Sequence, residues 1–347
     1  INKDNPEIIE GEKNNIPIIK RAELLGELIK IKEISIAVSG THGKTTTSSM
    51  LGSILLEYKL NPTLIIGGIV NKFNSNNISG TGNIIVVEAD EFDKSFLSLS
   101  PTYSIINNLD LEHLDIYENL NSLQQTFSQF ANSVPFYGKV FINNDCERLV
   151  DIIDTINRPK STYSIYCNSD LRATNISFKK ETATFNLKLK KSEKIQIKLN
   201  CPGEHNIYNA LAAIAISLEL DIPIKNIKIG LEKYMGVKRR FDIKYNNKKN
   251  GIIVIDDYAH HPSEISATLK AAKNGWNKRL IAIFQPHLFS RTRDFYQDFA
   301  KALSLADIVI ITDIFPAREK PINGVSSELI LNKLISKGHK KSMIINN

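Results

Sequence analysis

An apolar run that breaks into glycine, lysine and three consecutive threonines, Ile34-Ser-Ile-Ala-Val-Ser-Gly-Thr-His-Gly-Lys-Thr-Thr-Thr-Ser48, constrains this chain more than any other feature. Residues 34–38 read as a buried strand, and the spacing of Met50, Leu51, Ile54 and Leu55 predicts a helix from Thr45 onward. A strand, a glycine turn and a helix in that order make a phosphate cradle. Gly40 and Gly43 let the backbone approach a polyanion, and the helix N-terminus offers unpaired N–H groups. Lys44 adds a positive charge, and Thr45 a hydroxyl for magnesium. The general P-loop spacing would place glycine where Val38 stands, so the motif departs from its common form. A helix start capped by its own hydroxyls is the plain alternative, and the strand before it argues against that.

The 347 residues favour two or three domains, and 42% hydrophobic content is ample for their cores. No apolar run reaches the roughly 20 residues a membrane span needs. The first residue is Ile and no signal-peptide layout follows, so a fragment or processed product is expected rather than an exported precursor. Cys146, Cys167 and Cys201 form no C-x-x-C pair, which argues against a disulfide framework or zinc site and fits a reducing cytoplasm. The net charge of +7 is mostly scattered lysine. Its densest stretch, residues 179–194, alternates lysine with apolar residues and lacks stacking aromatics, so it reads as solvated hairpin faces rather than a nucleic-acid surface.

Along the chain, short apolar runs at 84–87 and 103–107 continue a strand and helix alternation, the pattern of a parallel sheet with ligands at its strand ends. A helix is expected at 120–133 and a strand at 139–142. Between 162 and 199 the period changes to two, which predicts an antiparallel insert. Helices are expected at 206–219 and 224–234, a hinge at 236–241, and then a second α/β series over 252–334.

Polar clusters sit where strands end. Glu88-Ala-Asp-Glu-Phe-Asp93 follows one strand, and burying its carboxylates calls for a cation. Asn107-Asn-Leu-Asp-Leu-Glu-His113-Leu-Asp115 follows the next and is expected beside the first; His113 reads equally as a metal ligand or a structural histidine. His205, Asn206 and Asn209 open a helix, where capping is the simple alternative. Arg239-Arg240-Phe241, Asp256-Asp-Tyr-Ala-His-His261 and Phe284-Gln-Pro-His-Leu-Phe-Ser-Arg291-Thr-Arg293 form three further clusters at successive strand ends, the arrangement of a ligand cleft.

These seven motifs in this order resemble the Mur ligases of peptidoglycan synthesis, from about residue 4 to 327. Within the family they are most similar to the branch that adds L-alanine to UDP-N-acetylmuramate. The resemblance implies three parts: the tail of an N-terminal UDP-sugar domain at 1–33, a central P-loop ATPase domain with a parallel sheet and antiparallel insert at 34–236, and a Rossmann-like C-terminal α/β domain at 237–347. It also implies ATP and Mg2+ as cofactors. Gly40, Thr41, His42, Gly43, Lys44, Thr45 and Thr46 would cradle phosphate, with Thr45, Glu88 and His113 on metal. His205, Asn206 and Asn209 would lie by adenine, and Arg240 and Asp257 would reach ATP from the closing domain. Tyr258, His260, His287 and Arg291 would line the alanine site, Arg291 pairing with its carboxylate. A monomer or homodimer is implied, with no nucleic acid and no membrane insertion. Leu288 stands where many members have arginine, and Glu112 where aspartate is more usual. Residues 114–138 contain no lysine, so the carbamylated lysine of several siblings has no counterpart. A sibling or peptide-recycling ligase, or a protein that closes on ATP without ligating, are the competing expectations.

Overall fold

The computed structural model describes residues 4–110, 117, 119–189, 195–247, 249–317 and 319–345. Helices α1 (Pro6–Lys13) and α2 (Arg21–Leu28) precede a ten-stranded sheet. Its strands are β1 (Ile34–Ser39), β2 (Thr63–Val70), β3 (Ser75–Ile78), β4 (Ile84–Glu88), β5 (Tyr103–Ile106), β6 (Lys139–Asn143), β7 (Lys160–Ser164), β8 (Leu171–Lys179), β9 (Thr182–Leu189) and β10 (Ile195–Leu199). Across the sheet they run β10-β9-β8-β7-β6-β5-β1-β4-β2-β3. The strands from β8 to β2 are mutually parallel, while β3, β9 and β10 pair antiparallel at the margins. The period-two stretch gives the expected antiparallel strands β8, β9 and β10, and they extend the main sheet because β8 docks parallel on β7 through Tyr163 and Ser164.

Strand alternation sends β1 side chains to two cores. Ile36 and Val38 pack with helices α3 (Lys44–Glu57), α6 (Glu204–Glu219) and α7 (Ile224–Glu232), through Met50, Leu51, Ile54, Leu211, Ile214 and Leu231. Ala37 faces the other side, where α4 (Leu120–Asn132) contributes Leu123, Phe127 and Phe130. Phe96 stacks on Phe130 at 4.7 Å between centroids. Buried residues run through α6 from Asn206 to Ser217, as its almost uniformly apolar sequence requires. The short α5 (Glu147–Val150) joins β6 to β7.

The second unit starts with a hairpin of β11 (Asp242–Asn247) and β12 (Ile252–Asp256). Then come α8 (Pro262–Gly275), β13 (Ile281–Phe284), α9 (Phe289–Leu303), β14 (Ile308–Ile311), α10 (Glu328–Ser336) and β15 (Ser342–Ile344). Strands β13, β14 and β15 make a parallel sheet, and Phe299, Leu303, Val309, Ile330 and Leu334 form its core. The run at 252–255 forms the expected strand, and it pairs antiparallel with β11 rather than joining the parallel sheet. The turn before it explains this, since Gly251 takes φ 68 and supplies the left-handed residue a tight hairpin needs. Strands β2 and β3 were not anticipated either, because Gly67 and Gly68 interrupt the apolar pattern of β2.

The expected hinge is tied to the first unit. Asn71 N–H donates to Gly236 O, Lys238 N–H donates to Ile69 O, and Val237 forms a bridge with Val70. Among the described residues no helix is long and apolar enough to cross a membrane.

Helix α7 approaches α3 so closely that a Cβ on Gly230 would lie 2.6 Å from Ile54 Cα. Gly230→Ala should push the helices apart and cost about 1–3 kcal/mol. Urea denaturation measures this, and an unchanged midpoint would contradict the packing.

Candidate active site

The register of three strands assembles the first half of the site. Val38 of β1 pairs with Glu88 of β4, and Ser39 pairs with Ile106 of β5, so all three C-terminal ends finish at one level. The glycine loop thus lies between the Glu88 and Asn107 clusters. This corrects the expectation that those two clusters adjoin, since β1 separates their strands.

Gly40 and Gly43 take φ 124 and 83, and both are walled in by asparagines. Asn108 grips the loop, its Oδ1 accepting from His42 N–H at 2.7 Å and its Nδ2 donating to His42 O at 3.1 Å. Asn107 Nδ2 donates to Thr47 Oγ1 at 3.0 Å, Thr47 donates to Asn209 Oδ1 at 3.1 Å, and Asn209 Nδ2 donates to Asn206 Oδ1 at 3.2 Å. Asn206 and Asn209 therefore brace the start of α3 from α6, in addition to facing the cleft.

Lys44 bends back over its own loop, donating to Gly40 O and to Glu91 Oε2, both at 2.8 Å. Burial opposes its charge, but Glu91 and Asp90 outweigh that and hold its pKa above the ordinary lysine value. Glu88 accepts from Gly67 N–H at 2.6 Å and from Thr45 Oγ1 at 3.0 Å. Burial pushes its pKa up, against those two donors and Lys44. A Cβ on Gly67 would lie 2.9 Å from Glu88 Oε2, so a larger residue there would have to displace that carboxylate. Of the four acidic residues expected to be buried together, Asp90 and Asp93 are exposed, so only Glu88 and Glu91 carry a desolvation cost.

Glu88 and Thr45 are hard oxygen donors at one place, the chemistry magnesium prefers, and a cation would relieve the buried carboxylate. Among the described residues no group of three or more His, Cys, Asp or Glu is arranged around a metal. The expected ligand His113 lies outside the described residues, as does Glu112.

The second unit supplies the facing wall. A cavity of about 230 Å³ is lined by His42, Gly43, Thr45 and Thr46 on one side and by Arg240, Asp257, Ser263 and Glu264 on the other, with His205, Asn206 and Asn209 at one end. His42 Nε2 lies 2.8 Å from Ser263 Oγ at the start of α8. Asp257 is already well supplied with donors, accepting from Phe241 N–H, Ala259 N–H and Thr268 Oγ1 at 2.9, 2.8 and 3.1 Å. Burial pushes its pKa up. Burial likewise holds His205 down at about 4, hence neutral near pH 7, and pushes the Cys201 thiol beside it up to about 12.

Tyr258, His260 and His287 line a neighbouring cavity of about 630 Å³. Tyr258 and His260 have ring centroids 5.0 Å apart, and His260 and His287 6.2 Å. Arg291 lies one helical turn on from His287, its Nη1 3.4 Å from His287 Nδ1. Burial lowers the His260 pKa to about 4, against the pull of Glu264. Leu288 caps α9 with φ 71, a strained value for a branched side chain. Sequence reasoning missed Glu264, Ser263 and the structural part of Glu91. A carboxylate three residues after the helix-capping His261 was the available signal for Glu264.

Family models match most of the chain: the Mur ligase middle domain over residues 38–217 and the Mur ligase, glutamate ligase domain over residues 239–346. A UDP-N-acetylmuramate–L-alanine ligase of Chlorobium chlorochromatii is 46% identical over 99% of this chain and 74% of its own length. The corresponding ligase of Geotalea daltonii is 44% identical over 98% of this chain and 74% of its own. The crystal structure of UDP-N-acetylmuramate-alanine ligase from Thermotoga maritima superposes with a TM-score of 0.84 at 30% identity, covering 100% of this chain and 75% of that one. Identity of this order along nearly the whole chain, together with a glycine loop and facing wall built as the motifs require, makes the chain a member of the Mur ligase family.

Proposed function

We propose that this chain joins L-alanine to the carboxylate of UDP-N-acetylmuramate at the expense of ATP, in peptidoglycan synthesis. One observation carries the reading beyond the relatives' names: the cavity beside the phosphate loop and the neighbouring cavity lined by Tyr258, His260 and His287 share Asp257 and Thr268 as a common wall, with Arg291 held against His287. ATP's γ-phosphoryl passes to the sugar carboxylate, giving an acyl phosphate, and the alanine amine then displaces phosphate. Lys44 and Arg240 spread positive charge over the transferring group, which is the main catalytic need in phosphoryl transfer. Gly40, Thr41, Gly43 and Thr46 present backbone donors to the phosphates, and His205 with the Asn206 and Asn209 pair bounds the adenine end. Asp257 fixes the backbone beside Arg240 and faces the ribose. Magnesium held by Thr45 and Glu88, with His113 for a second ion, would supply further charge to the phosphates when bound. Tyr258, His260 and His287 shape the amino-acid site, and Arg291 pairs with the alanine carboxylate.

We assign residues 1–33 to the tail of a sugar-binding domain, 34–236 to the ATPase domain and 237–347 to the amino-acid domain. The break between the two sheets near Val237 supports the last boundary. The cytoplasm is the expected compartment, where ATP and the nucleotide sugar are available.

The deciding assay is phosphate release by the full-length protein given ATP, magnesium, UDP-N-acetylmuramate and single amino acids in turn. Sugar-dependent release with L-alanine is expected; release with another amino acid or a peptide would move the chain to a sibling activity, and none would leave a non-catalytic ATP-binding protein. Lys44→Ala should lower turnover by roughly a hundredfold or more while the protein stays folded. Near-normal turnover would remove Lys44 from the mechanism. Arg291→Ala should raise the alanine KM by about tenfold, leaving the ATP KM within about twofold. Equal rises would argue against its carboxylate role.

Acid should also destabilise the cleft. The unfolded chain protonates His205 and His260 near their ordinary value of 6.5, whereas the folded chain does so only at about 4. Below pH 6.5 the unfolded state therefore binds more protons, so stability falls as pH drops from 6.5 toward 4. Urea midpoints across that range should flatten in His205→Gln, and an unchanged slope would show that His205 is not held neutral.

A further inference from the structure

Glu264 gathers groups from both sides of the cleft. It is the third residue of α8, and its side chain is only 12% exposed. Its Oε2 accepts from His260 N–H at 3.1 Å and lies 3.3 Å from His260 Nδ1. Its Oε1 lies 3.4 Å from Arg240 Nη1 and 3.4 Å from His42 Nδ1 on the phosphate loop. The Oε2 contact holds the backbone of His260, one residue ahead of the N-cap His261, and so steadies the entry to the helix. That role leaves Oε1 unexplained, because that oxygen points across the cleft at groups belonging to the nucleotide site. Burial opposes the charge, but the hydrogen bond from His42 and the nearby His260 and Arg240 outweigh it and hold the carboxyl well below its ordinary value.

We propose that Glu264 is a positioning residue that sets Arg240 for the ATP phosphates and His260 for the amino acid together, so that the two half-sites form as one unit. This deepens the ligase reading and rests on its placement of Arg240 and His260. A guanidinium has five donors in a fixed plane, so one can be held by Glu264 while others face phosphate. The guanidinium also lies 5.7 Å from the Tyr258 ring, and among the described residues Glu264 is the side chain that hydrogen-bonds it. His42 ties the same carboxylate to the glycine loop, and Ser263 beside it makes a second contact to that histidine at 2.8 Å. A single side chain thereby relates the position of α8 to both substrates.

The test uses Glu264→Gln in the full-length protein, which keeps the volume and one acceptor oxygen but removes the charge. The expected result is a rise of about fivefold or more in both the ATP KM and the alanine KM, with a lower kcat. On an Arg240→Ala background the same substitution should change the ATP KM by less than about twofold while its effect on the alanine KM persists, because the first acts through Arg240 and the second through His260. A purely structural helix cap would give equal effects on both backgrounds, and that outcome overturns the proposal. So does an active Glu264→Gln protein with both constants unmoved, or with only one moved. Parent protein that releases no phosphate with L-alanine sinks the ligase reading itself, which is a separate failure.

Discussion

The largely enclosed ammonium of Lys44, its side chain 16% exposed, is the charge around which the first half of this molecule is arranged. An isolated ammonium withdrawn from water is costly, and only close anionic or carbonyl partners keep it charged. The protein provides Gly40 O and Glu91 Oε2 at 2.8 Å, with Asp90 at 4.0 Å. Glu91 is in turn only 2% exposed, and the Tyr117 hydroxyl donates to its backbone carbonyl at 2.6 Å. Glu91 Oε1 finds no hydrogen-bond partner among the described residues, so the pair is not fully compensated. A phosphate arriving at the loop offers Lys44 better acceptors than the carbonyl it now holds. The loop is thus built to be completed by an anion.

Everything else at the site follows from placing that charge at a strand end shared by three parallel strands. The level finish of β4, β1 and β5 fixes which loops can meet. The asparagine and threonine chain through Asn107, Thr47, Asn209 and Asn206 then locks the loop to a helix far away in sequence. Each of these side chains is buried and hydrogen-bonded, so the network has little freedom to slip. The second unit meets this rigid platform through a connection with left-handed residues at Gly236, Arg239 and Phe241. Two of those three are not glycine, and strain of that kind persists only where neighbouring contacts enforce it. Asp257 enforces it here by accepting the Phe241 N–H.

Much of this was legible in the sequence because the relevant signals are local. The loop from Gly40 to Thr46 and the polar runs after strand ends declare themselves through residue order alone, and the parallel sheet follows from strand and helix alternation. What was hidden depends on partners distant in sequence. Strand β2 was obscured by Gly67 and Gly68, which Glu88, Val237 and Thr45 approach closely. The order of strands could not be read, so the Glu88 and Asn107 clusters were set together although β1 divides them. The hairpin of β11 and β12 turned on one left-handed glycine, and Glu264 looked like an ordinary helix-start carboxylate until the second unit was seen against the first.

On the proposal that Tyr258, His260, His287 and Arg291 line the amino-acid site, the charge around them bears on how an amine can attack there. Alanine in water carries an ammonium, which has no lone pair for attack, so the site must favour the neutral amine. Arg240 and Arg291 disfavour a further positive charge by Coulomb repulsion, and withdrawal from water acts in the same direction. The imidazoles do not add to this repulsion, because burial keeps His260 neutral with a pKa of about 4. A neutral imidazole can also accept a hydrogen bond from the amine and hold its lone pair in a fixed direction. Had Glu264 faced this group without Arg240 and His42 beside it, its charge would have stabilised the ammonium instead. Its Oε1 contacts at 3.4 Å to both of those groups turn that oxygen toward the phosphate loop, while Oε2 stays on His260.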